Sequence, residues 1–260
     1  MKTTVIATAI VFMFGGFGNA FAAFTKIDEI PLTTSGSHHG IAFDGEFWLI
    51  ADTDDGFNRY NSNFTAVGST TVPGFIDMRG LTFNPNSGNL FLGDNDLSFV
   101  RQVTLSGATV GQFATTTNTL NPLAYDGQSD TIWLGYCDGN IENRTLAGSL
   151  LSSFSIDDCW TGLAYDDFNN TLLGLSHGND LVLHEFETDG TPLGQQSLFG
   201  QIQDNPQGIA YDSSTGSLYV TSQIPGRVTI FQDASRTIPE PTTCTLALAA
   251  LCLAMSRRRV

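Results

Sequence analysis

The residues able to bind a cation, move a proton or stack on a ligand are concentrated between short apolar runs. Asp52-Thr53-Asp54-Asp55-Gly56 offers three carboxylates in four positions, a density that raises the question of calcium. A helix-flanked calcium loop needs Gly at its sixth position and Glu at its twelfth; counting from Asp52, those positions hold Phe57 and Asn63, which excludes that motif. Zinc would have to come from the four histidines. His38 and His39 are adjacent and cannot easily share one ion, so a site would need His177 from a distant segment. No Gly-x-Ser-x-Gly nucleophile elbow and no glycine-rich strand-to-helix phosphate turn are visible. No organic cofactor is expected, and a divalent cation such as calcium, held by several pooled carboxylates, is the metal chemistry left open.

The elements that must position these residues follow from an internal repeat. Gly40-Ile41-Ala42-Phe43-Asp44 recurs as Gly80-Leu81-Thr82-Phe83-Asn84, Pro122-Leu123-Ala124-Tyr125-Asp126, Gly162-Leu163-Ala164-Tyr165-Asp166 and Gly208-Ile209-Ala210-Tyr211-Asp212. The starts are spaced by 40, 42, 40 and 46 residues. Each copy ends in a turn signal and is followed by a second apolar strand, such as Phe47-Trp48-Leu49 or Ile132-Trp133-Leu134. A third strand follows, clearest in Leu181 to His184 and Val228 to Phe231. Four repeats add a fourth that is rich in Thr or Ser. Four short strands about every 40 residues predict propeller blades. The expected fold class is therefore all-β: a five-bladed β-propeller of four-stranded blades. The fifth repeat stops after three strands, and the unassigned segment Phe24 to Leu32 is expected to complete it, which would remove both exposed edges.

This repeat resembles NHL-type and YVTN-type β-propellers, and Leu218-Tyr219-Val220-Thr221-Ser222 comes close to the strand that names the second group. In such a ring, the loop entering the first strand and the loop joining strands two and three open on one face. That rule gathers His38, His39, Arg79, Trp160 and Gln207 from the first set, with Asn121, Thr161 and Asn205 beside them. The second set adds Asp52, Asp54, Asp94, Tyr136 and His177, with Gln223 beside them. These are the candidate ligand-binding residues of a central funnel; Asp and Asn there are also simply good turn formers. Trp48 and Trp133 occupy matching second-strand positions and read as inter-blade core. Trp160 is expected at the funnel mouth, either stacking on a flat ligand or packing on a disulfide. Lactonase-like propellers hold a metal with an early Glu, but Glu46 falls in the expected second strand of the first repeat, the wrong place for that role.

The two ends bear on location. Lys2, an apolar run from Val5 to Phe17 and the small-x-small site Ala20-Phe21-Ala22 predict a signal peptide over residues 1–22. The domain then covers 23–236. The remainder, 237–260, carries Pro239-Glu240-Pro241, a short apolar segment and Arg257-Arg258-Arg259. Its apolar stretch from Thr242 to Met255 is shorter than the ~20 residues of a comfortable membrane-spanning helix. The order of the three parts resembles the PEP-CTERM sorting signal. That resemblance implies an exosortase-type processing partner, transient residence of the short C-terminal helix in the inner membrane, and delivery to the cell surface or beyond.

The whole chain has a net charge of −15. Without both ends, 7 basic residues face 25 acidic ones, so the domain stands at about −18 and would repel phosphate backbones; nucleic acid is not an expected partner. Cys244 and Cys252 lie in the tail, leaving Cys137 and Cys159 to pair in an oxidising compartment. The expected function is that of an exported, non-enzymatic propeller of the envelope or extracellular matrix, binding a glycan such as exopolysaccharide or a matrix protein. The alternative is a metal-assisted hydrolase or lactonase using the acidic, His-bearing funnel.

Overall fold

A computed structural model describes residues 23–53, 56–116, 120–156, 158–176, 181–202, 205–223 and 225–236. The expected signal peptide and sorting segment lie outside the described residues. Five four-stranded antiparallel sheets form the ring. Blade one contains β2 (His38–Phe43), β3 (Trp48–Asp52), β4 (Gly56–Tyr60) and β5 (Ala66–Thr71), after the N-terminal strand β1 (Phe24–Pro31). Blade two contains β6 (Met78–Asn84), β7 (Asn89–Asp94), β8 (Phe99–Thr104) and β9 (Thr109–Ala114). Blade three contains β10 (Leu120–Asp126), β11 (Thr131–Tyr136), β12 (Asn140–Thr145) and β13 (Leu150–Ser155). Blade four contains β14 (Trp160–Asp166), β15 (Thr171–Ser176), β16 (Val182–Glu187) and β17 (Pro192–Ser197). Blade five contains β18 (Pro206–Asp212), β19 (Ser217–Ser222) and β20 (Arg227–Asp233).

Strand β1 completes blade five, pairing antiparallel with β20 from Phe24 opposite Asp233 to Pro31 opposite Arg227. Gln196 of blade four fastens the start of β1, accepting from the Phe24 N–H at 2.8 Å and donating to its carbonyl at 2.7 Å. The ring thus closes with the strand expected from sequence.

Two features of the repeat have direct physical reasons. Its terminal Asp or Asn closes the turn to the second strand: Asp44 Oδ1 accepts from the N–H groups of Glu46 and Phe47 at 2.8 and 2.6 Å. Asp126 Oδ1 does the same for Gln128 and Ser129 at 2.9 and 3.0 Å. The leading glycine lets neighbouring inner strands converge on the axis. A Cβ at Gly40 would lie 2.6 Å from the Arg79 carbonyl oxygen, and one at Gly208 would lie 2.6 Å from that of His39.

Apolar side chains of the first three strands fill the space between blades. Trp133 is buried between blades three and four with Ile141, Leu163 and Phe186, and Trp48 lies against Tyr219 at 4.1 Å between ring centroids. Both tryptophans are inter-blade core, as their positions predict. The outer strands β5, β9, β13 and β17 are largely exposed, and each joins its blade with a register shift. Such bulges keep an exposed edge from templating another strand. Among the described residues no helix is long and apolar enough to cross a membrane.

Candidate binding site at the upper mouth of the channel

The upper face is defined here by the loops that enter the first strands. Every first strand has a register shift just inside that face: between His38 and Ile41, Met78 and Gly80, Leu120 and Leu123, Trp160 and Gly162, and Pro206 and Gly208. A bulge re-aims a side chain that regular pleating would send into a blade interface. The residue immediately before the repeat's first position sits at that irregularity, giving His39, Arg79, Asn121, Thr161 and Gln207 at equivalent places in blades one to five. Four of these, His39, Arg79, Thr161 and Gln207, line one cavity of about 250 Å³. Cys137, Cys159, Asn205 and Gln223 complete its wall.

His39 is the unusual member. It is 1% exposed, yet neither ring nitrogen meets a hydrogen-bond partner among the described residues; the Gln207 carboxamide adjoins it without reaching that geometry. Buried polar atoms nearly always find partners, so an imidazole held this way beside a cavity is an exception to the general rule. Burial, reinforced by the Arg79 charge, pulls its pKa from 6.5 down to about 4. Above that pH the ring is neutral, with one donor and one acceptor nitrogen. Arg79 is steadied by Asp77, to whose Oδ2 its Nε donates at 2.8 Å. Asn205 donates to Gln223 at 2.9 Å, and Gln223 in turn donates to Ser37 at 3.2 Å, so this side of the rim is a fixed amide chain.

The Cys137–Cys159 disulfide expected from sequence is present, with a Cα separation of 4.0 Å, and joins blade three to blade four in the cavity wall. Of the sequence-derived candidates among the described residues, His39, Arg79, Thr161, Asn205, Gln207 and Gln223 meet there. His38 points the other way on the same strand, is 1% exposed, and shares a hydrogen bond of 2.8 Å between its Nε2 and Thr34 Oγ1. Asp94 is fully buried and spends both oxygens on loop N–H groups: Asp96 and Leu97 at Oδ1, Ile76 and Asp77 at Oδ2. Tyr136 is also buried, its hydroxyl donating to Glu142 at 2.7 Å beside the Arg144 ion pair.

Trp160 corrects the expectation of a ligand-facing ring. It is fully buried, donates to the Gly139 carbonyl at 3.3 Å, and meets His184 and Phe186 edge-on at 5.3 and 5.7 Å. Pairing sets the reason: Trp160 precedes the bulge, so Thr161 rather than the indole is aimed at the axis. Asp52 lies opposite His38 in the pairing and accepts from Asn58 at 3.2 Å. Asp54 and His177 lie outside the described residues. Among the described residues no group of three or more His, Cys, Asp or Glu side chains is placed to hold a metal ion. Glu46 is in the turn before β3, at the opposite end of the channel from these residues.

Sequence reasoning missed the lower mouth, where the turns between first and second strands gather. A second cavity of about 710 Å³ opens there, walled largely by the repeat's own aromatic residues. The signal was the aromatic at the fourth position of all five copies, for which the sequence suggested no role beyond the repeat itself.

No family model and no curated protein sequence matches the chain. Among solved structures, that of the glutaminyl cyclase of Myxococcus xanthus aligns with a TM-score of 0.64, covering 80% of this chain and 95% of that one at 11% identity. The two share a fold. At that identity the likeness extends to the five-bladed propeller and no further.

Proposed function

We propose that this chain is an exported, non-enzymatic propeller that holds a sugar unit of an extracellular glycan in its upper mouth. The observation carrying this reading is His39: a buried, neutral imidazole with both nitrogens unpartnered among the described residues, set beside Arg79, Thr161 and Gln207. The wall contains side chains that donate and side chains that accept, which suits a ligand that does both, as hydroxyls do. At about 250 Å³ the cavity is just under the usual range for drug-sized ligands, about 300–1,000 Å³, and fits one unit or one chain end. A pKa of about 4 makes His39 a weak base at neutral pH, which supports binding over proton abstraction.

Delivery rests on the ends of the sequence: a signal peptide over 1–22 and a PEP-CTERM signal over 237–260, processed by an exosortase-type enzyme after transient residence in the inner membrane. Replacing Pro239, Glu240 and Pro241 by alanine should leave an unprocessed, cell-retained protein; unchanged size and location would refute the sorting step. For binding, the purified protein should be retained on exopolysaccharide, and His39→Ala should reduce retention about tenfold. Equal retention of the variant would remove the upper mouth from the reading.

A second reading is enzymatic. The fold likeness to a glutaminyl cyclase motivates an assay for that activity, and metal analysis tests a metal-assisted hydrolase that would need His177 or Asp54. A stoichiometric ion, with activity lost on substituting His39 or Asp52, would replace the binding reading.

A further inference from the structure

The lower mouth has a chemistry unlike that of the upper one. Phe43 and Tyr219 line it around Trp48, with centroid separations of 4.9 Å from Phe43 to Trp48 and 4.1 Å from Trp48 to Tyr219; the Trp48 ring is itself inter-blade core and also stacks on Phe64 at 5.4 Å, so the accessible aromatic surface is mainly that of Phe43 and Tyr219. Phe43 is 45% exposed, although it belongs to an inner strand. Tyr125, Tyr165 and Tyr211 stand on the other blades around the same cavity. Their hydroxyls are already committed, donating to Asp130 at 2.6 Å, to Asn170, and to Asp233 at 3.2 Å, so the rings are fixed and offer faces and edges rather than free donors.

The charge around this wall is of one sign. Asp44, Asp167 and Asp212 line the cavity, and no described Lys, Arg or His does. Arg236 stands at the edge, its guanidinium 5.8 Å from the Tyr211 ring centroid and donating to the Ser213 carbonyl, but it is committed to Asp166 at 2.7 Å and lies 4.2 Å above the Phe168 ring. Burial, with the charges of Asp126 and Asp166, raises the Asp167 pKa, and burial with nearby carboxylates raises those of the three tyrosines, the Arg236 charge opposing the shift at Tyr211.

Two of the three carboxylates already accept hydrogen bonds within their own turns. Asp44 Oδ1 takes two backbone N–H groups. Asp212 takes Ser214 N–H and Oγ at one oxygen and Thr215 Oγ1 at the other. A primary ammonium or guanidinium would forfeit hydrated N–H groups on entering such a site and find few acceptors. A cation with no N–H loses much less, and aromatic faces attract it through their quadrupoles.

We propose that the lower mouth binds a quaternary ammonium group, a trimethylammonium head such as that of choline, against Phe43 and Tyr219, with Trp48 packed between them, in the field of Asp44, Asp167 and Asp212. This site is independent of the upper-mouth reading and stands or falls by itself.

Calorimetric titration of the full protein with choline chloride, at ionic strength held constant with sodium chloride, tests it. The control ligand is 3,3-dimethyl-1-butanol, the neutral isostere. Choline should bind with a stoichiometry of one and quench Trp48 fluorescence, with the alcohol at least tenfold weaker. The double variant Asp44→Asn, Asp212→Asn keeps the Oδ1 acceptor of both turns, gives up only the acceptor for Thr215 Oγ1, and removes two charges; it should weaken choline about tenfold and leave the alcohol unchanged. Phe43→Ala, at a half-exposed ring, should weaken both. Equal binding of choline and alcohol would overturn the proposal in favour of a merely apolar cavity. So would choline affinity indifferent to the charge-removing variant, or stronger retention of a neutral oligosaccharide that competes with choline.

Discussion

Replacing both Cys137 and Cys159 by serine would remove a covalent link between blades three and four beyond the chain itself. The bridge spans a sequence separation of 22, from the loop after β11 to the residue before β14. In the chain-entropy account, cross-linking a loop of that size removes roughly 11 cal/mol/K from the unfolded ensemble, or about 3.4 kcal/mol at 25 °C. For a domain of this size each kcal/mol moves the melting temperature by about 2–4 °C, so the variant should melt about 7–14 °C lower. Thermal and urea unfolding followed by tryptophan fluorescence would measure it, with peptide mapping to confirm the pairing apart from the thiols of Cys244 and Cys252. Wild-type protein treated with reductant should match the variant. A loss below about 1 kcal/mol, with the bridge verified in the wild type, would refute the reasoning: the reduced unfolded chain would have to be already as restricted as the cross-linked one. Because both cysteines line the upper cavity, the variant should also bind its ligand more weakly.

Acid should destabilise the fold through its buried histidines. His39 is held down to about 4 against an ordinary 6.5, so between those values the unfolded chain binds a proton that the folded one does not. Stability is therefore fully present above pH 6.5 and falls as pH drops towards 4, by about 3 kcal/mol for this group alone. Burial lowers His38 and His184 as well, in the same sense. Denaturation midpoints between pH 4 and 7 should show this slope, and His39→Gln should flatten it. Deleting residues 23–31 removes β1 and exposes β20 as an open edge; soluble monomer should give way to aggregates by size-exclusion chromatography. Arg236→Ala leaves Asp166, only 4% exposed, without its cation and should cost about 2–3 kcal/mol in urea unfolding. Gly208→Val drives a side chain into the His39 backbone, and a folded yield equal to wild type would contradict the close approach of blades five and one.

The period of the repeat, its turn-closing Asp, the closing strand and the disulfide could all be read from sequence because each depends on local chemistry or on simple counting. A strand pattern reports alternation, and an Asp before Gly or Ser reports a turn, wherever the fold places them. Which polar residue faces the axis could not be read that way. His38 and His39, or Trp160 and Thr161, are neighbours of similar apparent merit, and the bulge at the start of each inner strand sends one of each pair to the channel and the other into the packing. A shift of one residue in pairing reverses every side chain that follows, and pairing is settled between strands rather than along one. The aromatic ring of the lower mouth was hidden for a related reason. Core and cavity walls draw on the same residue types, and only the convergence of five blades leaves Phe43 facing space while Tyr165, at the same position of blade four, is buried against its neighbours.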